Sequence, residues 1–339
     1  MVIYFKAGDQ IMKKPLIGIT IGDPSGAGPE ICLKALMKDE IYQVCRPILF
    51  GDEKVIKRVY PIVDCKKELV LIDNPEDFEE DKVNLISFNV IDDSYEFAVV
   101  QGKCGRAAFE YIKNAIHMAL DKKIDAVVTG PINKEALNLA GINYSGHTEI
   151  FADLTGTKDY AMLLASGPLK VIHVSTHVSL REACDRAKKD RIYTVIKLAH
   201  KAMVDLGVCN PRIAVAGLNP HSGENGLFGD EEQKEIIPAI KKAQEEGLDV
   251  KGPLPPDTVF LHCKNGKYDI AVAMYHDQGH IPLKIVDFMG GVNVTVGLPI
   301  IRTSVDHGTV YGKAGKGTAD ETSMIKAIEM AVQFSKYRC

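Results

Sequence analysis

The chain has 339 residues, enough for one large α/β domain or two lobes, and 46% of them are hydrophobic. Its 41 basic and 45 acidic residues give a net charge of −4, which argues against a nucleic-acid or membrane-surface partner. No apolar run in the sequence approaches the roughly 20 residues that a membrane-spanning helix needs. Eight scattered cysteines without a C-x-x-C pair favour free thiols in a cytoplasmic protein over disulfides or thiolate metal ligands.

Strand-like and helix-like segments alternate along most of the chain. Strands are predicted at 16–21, 47–50, 69–72, 125–129, 160–165, 169–175, 212–218, 268–275, 292–296 and 300–304. Helices are predicted at 30–37, 102–122, 191–206, 231–246 and 319–333, with another running through Phe151 and Leu154. The alternation predicts α/β layers with helices on both faces of the sheet, and 160–165 and 169–175 are predicted to form an antiparallel pair. We predict that residues 1–11 are an extension outside a single catalytic unit at 12–339.

Three histidines follow apolar, strand-like segments at equivalent places. His177 follows 171–176, His221 follows 213–220, and His276 follows 270–275. Ligands of open α/β sheets bind outside the carboxyl ends of the strands, so three imidazoles delivered there can meet on one ion. Three histidines with an open coordination position form a catalytic metal site. Alternatively, each histidine is a separate loop or core residue.

Two further motifs follow predicted strands or precede a predicted helix. The segment GDPSGAGPE at 22–30 lacks the spacing of a dinucleotide fingerprint or a Walker loop, and is either a structural turn or a ligand-facing loop. At 144–149 the sequence places His147 and Thr148 near a helix N-terminus, where they and the backbone amides can bind an anion. The alternative there is a simple N-cap by Ser145 or Thr148.

The densest polar cluster is HDQGHIPLK at 276–284, which offers His276 as a metal ligand and Lys284 as a phosphate partner. Arg302 follows soon after, and one lysine with one arginine can neutralise and orient a phosphate or carboxylate. A glycine-rich segment at 306–320 precedes the last helix, and it either wraps a nucleotide or forms a flexible turn.

Taken together, these motifs resemble the 4-hydroxythreonine-4-phosphate dehydrogenase family of pyridoxal phosphate biosynthesis. The resemblance covers nearly the whole chain from Lys14 and is carried, in order, by 22–30, 129–135, 146–149, 175–177, 219–221, 252–258, 275–279 and 297–308. It implies an α/β fold similar to isocitrate and isopropylmalate dehydrogenases, in which two α/β/α lobes flank a central cleft. The implied lobes are approximately 12–130 with 300–339, and 131–299. The cofactor site of that fold is not a G-x-G-x-x-G Rossmann site.

The resemblance also implies the ligands and the residues that bind them. The cofactor is NAD or NADP, with one divalent metal per site (Zn, Co, Mn or Mg), in a homodimer whose active site is shared between subunits. The implied metal ligands are His177, His221 and His276. The implied substrate-binding residues are His147, Thr148, Lys284, Asn293 and Arg302, and the implied cofactor-binding residues are Gly297, His307, Gly312, Gly315 and Gly317. Candidates for proton handling or support of the ligands are Lys284, Asp257 and Asp277.

Departures from the biosynthetic members point to a different substrate. Those members usually carry an apolar residue after the HDQG motif, and here that residue is His280. This feature and the segments 170–177, 221–230 and 256–261 resemble the paralogous branch that oxidises 4-phospho-D-threonate and 4-phospho-D-erythronate in sugar-acid catabolism. The expected reaction is metal-dependent, NAD(P)-linked oxidative decarboxylation of such an acid to dihydroxyacetone phosphate and CO2.

Three alternatives stay open. The first is a 4-phosphohydroxy-L-threonine dehydrogenase of pyridoxal 5′-phosphate biosynthesis. The second is a metal-dependent hydrolase acting on a phosphorylated acid, for which three histidines with an open position would also serve. The third is a non-catalytic phosphoacid-binding protein. A requirement of turnover for NAD(P)+ separates the dehydrogenases from the other two.

Overall fold

The computed structural model describes residues 13–288 and 290–338. The predicted extension at 1–11 lies outside these residues. The predicted α/β class is confirmed, because the described chain forms a 12-stranded sheet with helices on both faces. The strands are β1 Leu16–Thr20, β2 Arg46–Gly51, β3 Leu69–Leu71, β4 Val83–Ser87, β5 Ala126–Thr129, β6 Ala161–Ser166, β7 Leu169–His173, β8 Ile213–Ala216, β9 Val250–Leu254, β10 Ile270–Ala273, β11 Val292–Val296 and β12 Ile301–Val305.

The helices connect these strands. They are α1 Gly28–Leu36, α2 Asp39–Val44, α3 Glu53–Val59, α4 Gly102–Leu120, α5 Lys134–Leu139, α6 His147–Leu154, α7 Leu180–Arg186, α8 Lys189–Asp205, α9 Ile237–Glu245, α10 Val259–Lys264, α11 His276–Val286 and α12 Thr322–Tyr337. All the predicted strands and helices are present, within a few residues at their ends. The short helices α2, α3, α5, α7 and α10 have six or seven residues each, too few to show a helical period in the sequence.

The strand order is β3-β4-β2-β1-β5-β12-β11-β6-β7-β10-β8-β9. Neighbouring strands are parallel, except that β11 runs antiparallel to β12 and β6, and β6 runs antiparallel to β7. The predicted antiparallel pair is therefore confirmed. Strands from 12–130 and 300–339 fill one half of this order, and strands from 131–299 fill the other half. The division into two lobes at these positions stays a prediction.

The core around β7, β8 and β10 shows why these segments are apolar at every position. Successive residues of each strand point to opposite faces. Ile172, Val215 and Val272 join the large core on one face, while Val171, Ala214 and Ala271 join a second cluster on the other. That second cluster is completed by Val259, Phe260, Cys263 and Leu283 of α10 and α11. Continuous apolar sequence is expected of strands buried on both faces.

Two strands escape the sequence pattern. The edge strand β9 pairs only with β8 and contains Gly252 and Pro253, which lower strand propensity. Proline is tolerated there because an edge strand leaves one row of N–H groups unpaired. In β4, the buried Asn84 interrupts the apolar run. Its amide is satisfied by Glu79 and Lys82, whose backbone groups bond to it at 2.8–3.1 Å.

Candidate functional site

The three strands that precede the candidate metal ligands are neighbours in the sheet. β10 lies between β7 and β8 and is parallel to both, so His177, His221 and His276 all follow the same edge. His177 and His276 come together, with 5.7 Å between their ring centroids. His221 is exposed and lies outside the cleft that these two histidines line. Within one chain, the described residues contain no group of three His, Cys, Asp or Glu placed to hold a metal ion.

Helix α11 presents His276 at its first residue. The sequence obscures this helix, because Gly279 and Pro282 both disfavour helical structure. Gly279 is required by close packing against β7: a Cβ atom there would lie 2.3 Å from His173 Nε2 and 2.7 Å from Val171 Cγ1. The glycine therefore lets the helix approach the sheet closely enough to bring its N-terminus beside His177.

The environment of the two paired histidines suits metal ligation. Asp277 Oδ1 lies 2.6 Å from His276 Nδ1, an arrangement that orients the ring and leaves Nε2 for a ligand. Burial, and then the proximity of His276, lowers the pKa of His177, which keeps this imidazole neutral near pH 7 as a ligand must be. The donors therefore fit a divalent metal, and each chain supplies two of the three predicted imidazoles at this place.

All five predicted substrate-binding residues line one cleft of about 450 Å³, within the range of small-molecule sites. This cleft contains His177 and His276 together with His147, Thr148, Lys284, Asn293, Arg302 and His307. It also contains residues to which sequence analysis gave no role, namely Lys134, Glu149, Ser304 and Asp306. Lys134 and Glu149 belong to motifs that had been noted at 129–135 and 146–149, so their position in those motifs was the available signal.

Arg302 is the most informative residue of the cleft. Its side chain is 2% exposed, and it donates hydrogen bonds to Thr295 Oγ1 at 3.0 Å and to Thr129 Oγ1 at 2.9 Å. No carboxylate among the described residues forms an ion pair with it, and its Nε has no hydrogen-bond partner. Burial lowers the pKa of Arg302 to about 9, against a smaller opposing effect of the nearby Glu149 carboxylate, so Arg302 remains a cation near pH 7. A buried, unpaired cation is costly unless an anion completes its environment.

Other unsatisfied polar atoms surround the same space. His147 Nε2 and Asn293 Oδ1 are buried without a partner. Such atoms are rare, because each costs roughly 1–3 kcal/mol when left unpaired. The N-terminus of α6 is also available to a ligand, since Gly146 is its N-cap and no side chain caps it. The alternative of an N-cap by Ser145 or Thr148 is therefore wrong, and the free amides of α6 favour an anion.

His280 lies one helical turn after His276 and lines the cleft. Its Nδ1 lies 3.0 Å from the carbonyl oxygen of His276, so Nδ1 carries the hydrogen and donates it. Burial, and then His276, lowers the pKa of His280 to about 4, so the ring is neutral near pH 7 and Nε2 is a hydrogen-bond acceptor. His173 lies beneath it with 4.8 Å between ring centroids, fully buried, and its Nε2 is unpartnered.

The glycine-rich segment 306–320 is held by the motif at 22–30. Glu30, which is fully buried, accepts hydrogen bonds from the backbone amides of Gly315 at 2.5 Å and Gly317 at 2.8 Å. Tyr311 donates to Asp23 Oδ2 at 2.8 Å, and the amide of Ala27 donates to the carbonyl of Thr309 at 2.9 Å. The motif at 22–30 is therefore a structural support here, and the segment 306–320 is not a free turn.

Several candidate residues lie away from the cleft. Gly315 and Gly317 have positive φ and pack against Phe97 and the carbonyl of Ile62, so tight packing accounts for both glycines. Gly312 is exposed and also outside the cleft lining. Gly297 follows β11, which runs antiparallel to β12, and lies at the opposite sheet edge from Asn293. The two aspartates, Asp257 and Asp277, are exposed and do not line the cleft.

The fold and the cleft define an α/β protein in which a buried arginine and a lysine line a cleft beside a pair of histidines. Comparison with known proteins identifies the family. The family model described as pyridoxal phosphate biosynthetic protein PdxA matches residues 43–331, and the chain belongs to this family. The predicted resemblance and the fold class that it implies are thereby confirmed. In the described part of the chain, no helix is both long and apolar enough to cross a membrane.

Similar proteins cover almost the whole chain. A protein of Oceanobacillus iheyensis named "Putative D-threonate 4-phosphate dehydrogenase" is 49% identical over 95% of this chain and 98% of its own length. A Clostridium botulinum protein of the same name is 47% identical over 96% of this chain and 98% of its own. The crystal structure of a 4-hydroxythreonine-4-phosphate dehydrogenase from Klebsiella pneumoniae is 45% identical, with a TM-score of 0.87 over 95% of this chain and 99% of that one.

Proposed function

We propose that this protein is an NAD(P)-dependent dehydrogenase of a four-carbon 4-phosphorylated hydroxy acid, in the first place 4-phospho-D-threonate or 4-phospho-D-erythronate. The observation that carries the proposal is the buried Arg302, which forms no ion pair among the described residues, in a cleft that also holds two paired histidines. An anionic substrate with a hydroxyl group would satisfy both features. Family membership and the names of the similar proteins support the same substrate class.

The proposed reaction oxidises the C3 hydroxyl of the acid to a ketone and then releases the carboxylate as CO2. A bound divalent metal would polarise the C3 oxygen, and bound NAD(P)+ would accept the hydride from C3. The hydroxyl proton balances the proton that C2 gains when the C1–C2 bond breaks, so the products are dihydroxyacetone phosphate, CO2 and NAD(P)H.

The residues of the chain bind, orient and deliver protons. Arg302 and the N-terminal amides of α6 hold one anionic group of the substrate, and His147 Nε2 and Asn293 Oδ1 supply acceptors for its hydroxyl groups beside them. His177 and His276 would hold the metal, with Asp277 orienting His276. Lys284 Nζ, at the same cleft, contacts the second anionic group and is our candidate for protonating C2. Asp257 keeps no assigned step, because it is exposed and does not line the cleft.

We further propose that two subunits share the site. His221 is exposed on a turn with the exposed side chains Leu227 and Phe228. Ile281 and Ile285 form a second exposed apolar row along α11, beside the cleft, which Phe288 continues just after the helix; Ile285 is 80% exposed. Apolar rows of this kind favour burial against a partner. A symmetric dimer would cover both patches and bring His221 of the partner subunit to His177 and His276.

His280 supports the D-acid branch. Its neutral ring presents Nε2 as an acceptor in the cleft, where the biosynthetic members usually carry an apolar residue. A hydroxyl group at C2 can donate to it, and so can the C2 ammonium of 4-phosphohydroxy-L-threonine, so the support for the D-acids comes from the resemblance of this position to their branch. The 4-phosphohydroxy-L-threonine reaction is the second candidate, favoured by the family description and by the Klebsiella structure.

Free thiols at all seven cysteines of the described chain fit the expected cytoplasmic location.

The test of the reaction class measures NAD(P)H and inorganic phosphate together while 4-phospho-D-threonate is consumed. NAD(P)H formation without phosphate release supports the dehydrogenase. Phosphate release without NAD(P)+ would support a hydrolase, and saturable binding without turnover would support a binding protein.

The test of the shared site mixes two inactive variants, His221→Ala and His276→Ala, under conditions that exchange subunits. Mixed dimers contain one site with all three histidines, so we expect activity to return to about a quarter of the wild-type value if exchange is statistical. Two inactive variants that stay inactive after verified exchange would contradict a site shared between subunits.

A further inference from the structure

Two cations of the cleft, Lys284 and Arg302, differ in how their charges are neutralised. Lys284 Nζ forms an ion pair with the Asp306 carboxylate and lies 3.3 Å from the Asp306 carbonyl oxygen. Both side chains are largely shielded from solvent, with 28% and 13% of the Lys284 and Asp306 side chains exposed. Arg302, in the same cleft, forms no ion pair with a described carboxylate, and Glu149 acts on it only from a longer distance.

Asp306 is held in place by its surroundings. It directly follows β12 and begins the glycine-rich segment, and its backbone amide donates to Ser323 Oγ at 3.4 Å. The segment that follows is bonded to Asp23, Ala27 and Glu30, as described above. The carboxylate therefore cannot leave the cleft by a free movement of its backbone, and an incoming anion meets it next to Lys284.

We propose that Asp306 is an internal competitor for the anionic ligand, and so a specificity-determining residue of the cleft. This inference rests on the proposed function, because it assumes that an anionic substrate occupies the space beside Lys284. An anion that reaches Lys284 must displace the Asp306 carboxylate or bind beside it against like-charge repulsion. The cleft thereby selects strongly charged ligands, such as a dianionic phosphate. Singly charged acids, which could bind to Arg302 alone, are selected less strongly.

Competition and positioning predict opposite effects on anion binding when Asp306 is replaced. If Asp306 only held Lys284 in position, its removal would weaken anion binding. If it competes, the isosteric change Asp306→Asn removes the competing charge while keeping an oxygen that can accept from Lys284. We then expect tighter binding of inorganic phosphate, on the order of tenfold, as expected for the loss of one nearby like charge in a partly solvated cleft.

The experiment measures the dissociation constant of inorganic phosphate by calorimetry for the full-length protein. The variants are Asp306→Asn, Asp306→Ser as a second neutral variant in case the first fails to fold, and Asp306→Glu, which keeps the charge. Asp249→Asn is the matched control, because Asp249 is exposed before β9, away from the cleft. Thermal unfolding of each variant confirms that it is folded.

We expect Asp306→Asn and Asp306→Ser to bind phosphate more tightly than the wild type, with Asp306→Glu and Asp249→Asn close to it. Unchanged or weaker binding by both neutral variants would overturn the inference. The anion site itself is tested separately by the wild type and Arg302→Met. If the wild type binds phosphate and Arg302→Met does not, a failure of the Asp306 variants concerns only the competition. If neither the wild type nor the neutral Asp306 variants bind, both proposals fail.

Discussion

The imidazole rings of His276 and His280 are stacked on one another, with 3.5 Å between their centroids and 12° between their planes. The two residues are four apart on α11, so successive turns of one helix create the contact. One ring is a proposed metal ligand and the other a proposed substrate acceptor. The stack therefore places the residue that differs from the biosynthetic branch directly against the reacting centre.

Replacing His280 by leucine tests this role. His280→Leu keeps the approximate volume and removes the acceptor Nε2, so kcat/KM for 4-phospho-D-threonate should fall by about tenfold, the value of one hydrogen bond. The ratio of this value to that for 4-phosphohydroxy-L-threonine should fall as well. His262→Leu, on α10 and outside the cleft lining, is the control. An unchanged ratio would show that His280 does not determine which substrate is preferred.

Arg302→Met should separate stability from function. Removing a buried cation that lacks an acidic partner relieves a desolvation cost, which offsets the loss of its bonds to Thr129 and Thr295. We expect the free energy of unfolding without ligand to stay within about 1 kcal/mol of the wild type. Stabilisation by substrate or phosphate should vanish. Chemical denaturation with and without phosphate measures both, and a collapse of the unliganded variant would show that Arg302 is mainly structural.

Glu30→Gln should weaken cofactor binding if the segment 306–320 contacts the nucleotide. The substitution removes the charge that accepts from Gly315 and Gly317, and hydrogen bonds to a charged group contribute about 2 kcal/mol. We expect KM for NAD(P)+ to rise about tenfold with little change in KM for the acid. Glu40→Gln, at an exposed position on α2, is the control. A rise in KM for the acid alone would show that the segment 306–320 does not contribute to cofactor binding.

The pair Arg212–Asp269 predicts a pH dependence of stability. Hydrogen bonds from Arg212 lower the pKa of Asp269 below its ordinary value. A lowered folded-state pKa stabilises the protein above the unfolded-state value and loses this effect as the pH falls through the folded-state pKa. Asp269→Asn should therefore cost about 1 kcal/mol at about pH 7, and the difference should shrink at a pH well below 3.8, the ordinary aspartate value. Urea unfolding at both pH values measures it, and a constant difference would exclude the charge as its cause.

How much of the fold can be predicted from the sequence depends on whether the residues that determine each element are neighbours in the chain. The runs Ile-Ala-Val-Ala of β8 and β10 revealed two central strands, because strands buried on both faces are continuously apolar. Helix α11 could not be predicted, because Gly279 and Pro282 signal a break. A glycine is needed at 279 because it packs against His173, more than a hundred positions earlier in the chain. A pattern of neighbouring residues cannot reveal such a contact.

The same distinction between local and long-range determinants applies to the candidate site. His177 and His276 were predicted to meet because parallel strands end at the same edge, and they do. The pairing of Lys284 with Asp306, and the lack of an acidic partner for Arg302, depend on side-chain packing across β12 and α11. The position of His221 depends on whether a second chain is present, so its role as a metal ligand stays a prediction. The same is true of the five candidate cofactor residues.

The most direct test of the account is the steady-state formation of NAD(P)H by the metal-supplemented protein, with and without a chelator. The substrates compared are 4-phospho-D-threonate, 4-phospho-D-erythronate and 4-phosphohydroxy-L-threonine. The account predicts chelator-sensitive turnover with the highest kcat/KM for one of the D-acids and dihydroxyacetone phosphate as the product. A higher kcat/KM for the amino acid, or turnover that the chelator leaves unchanged, would contradict it.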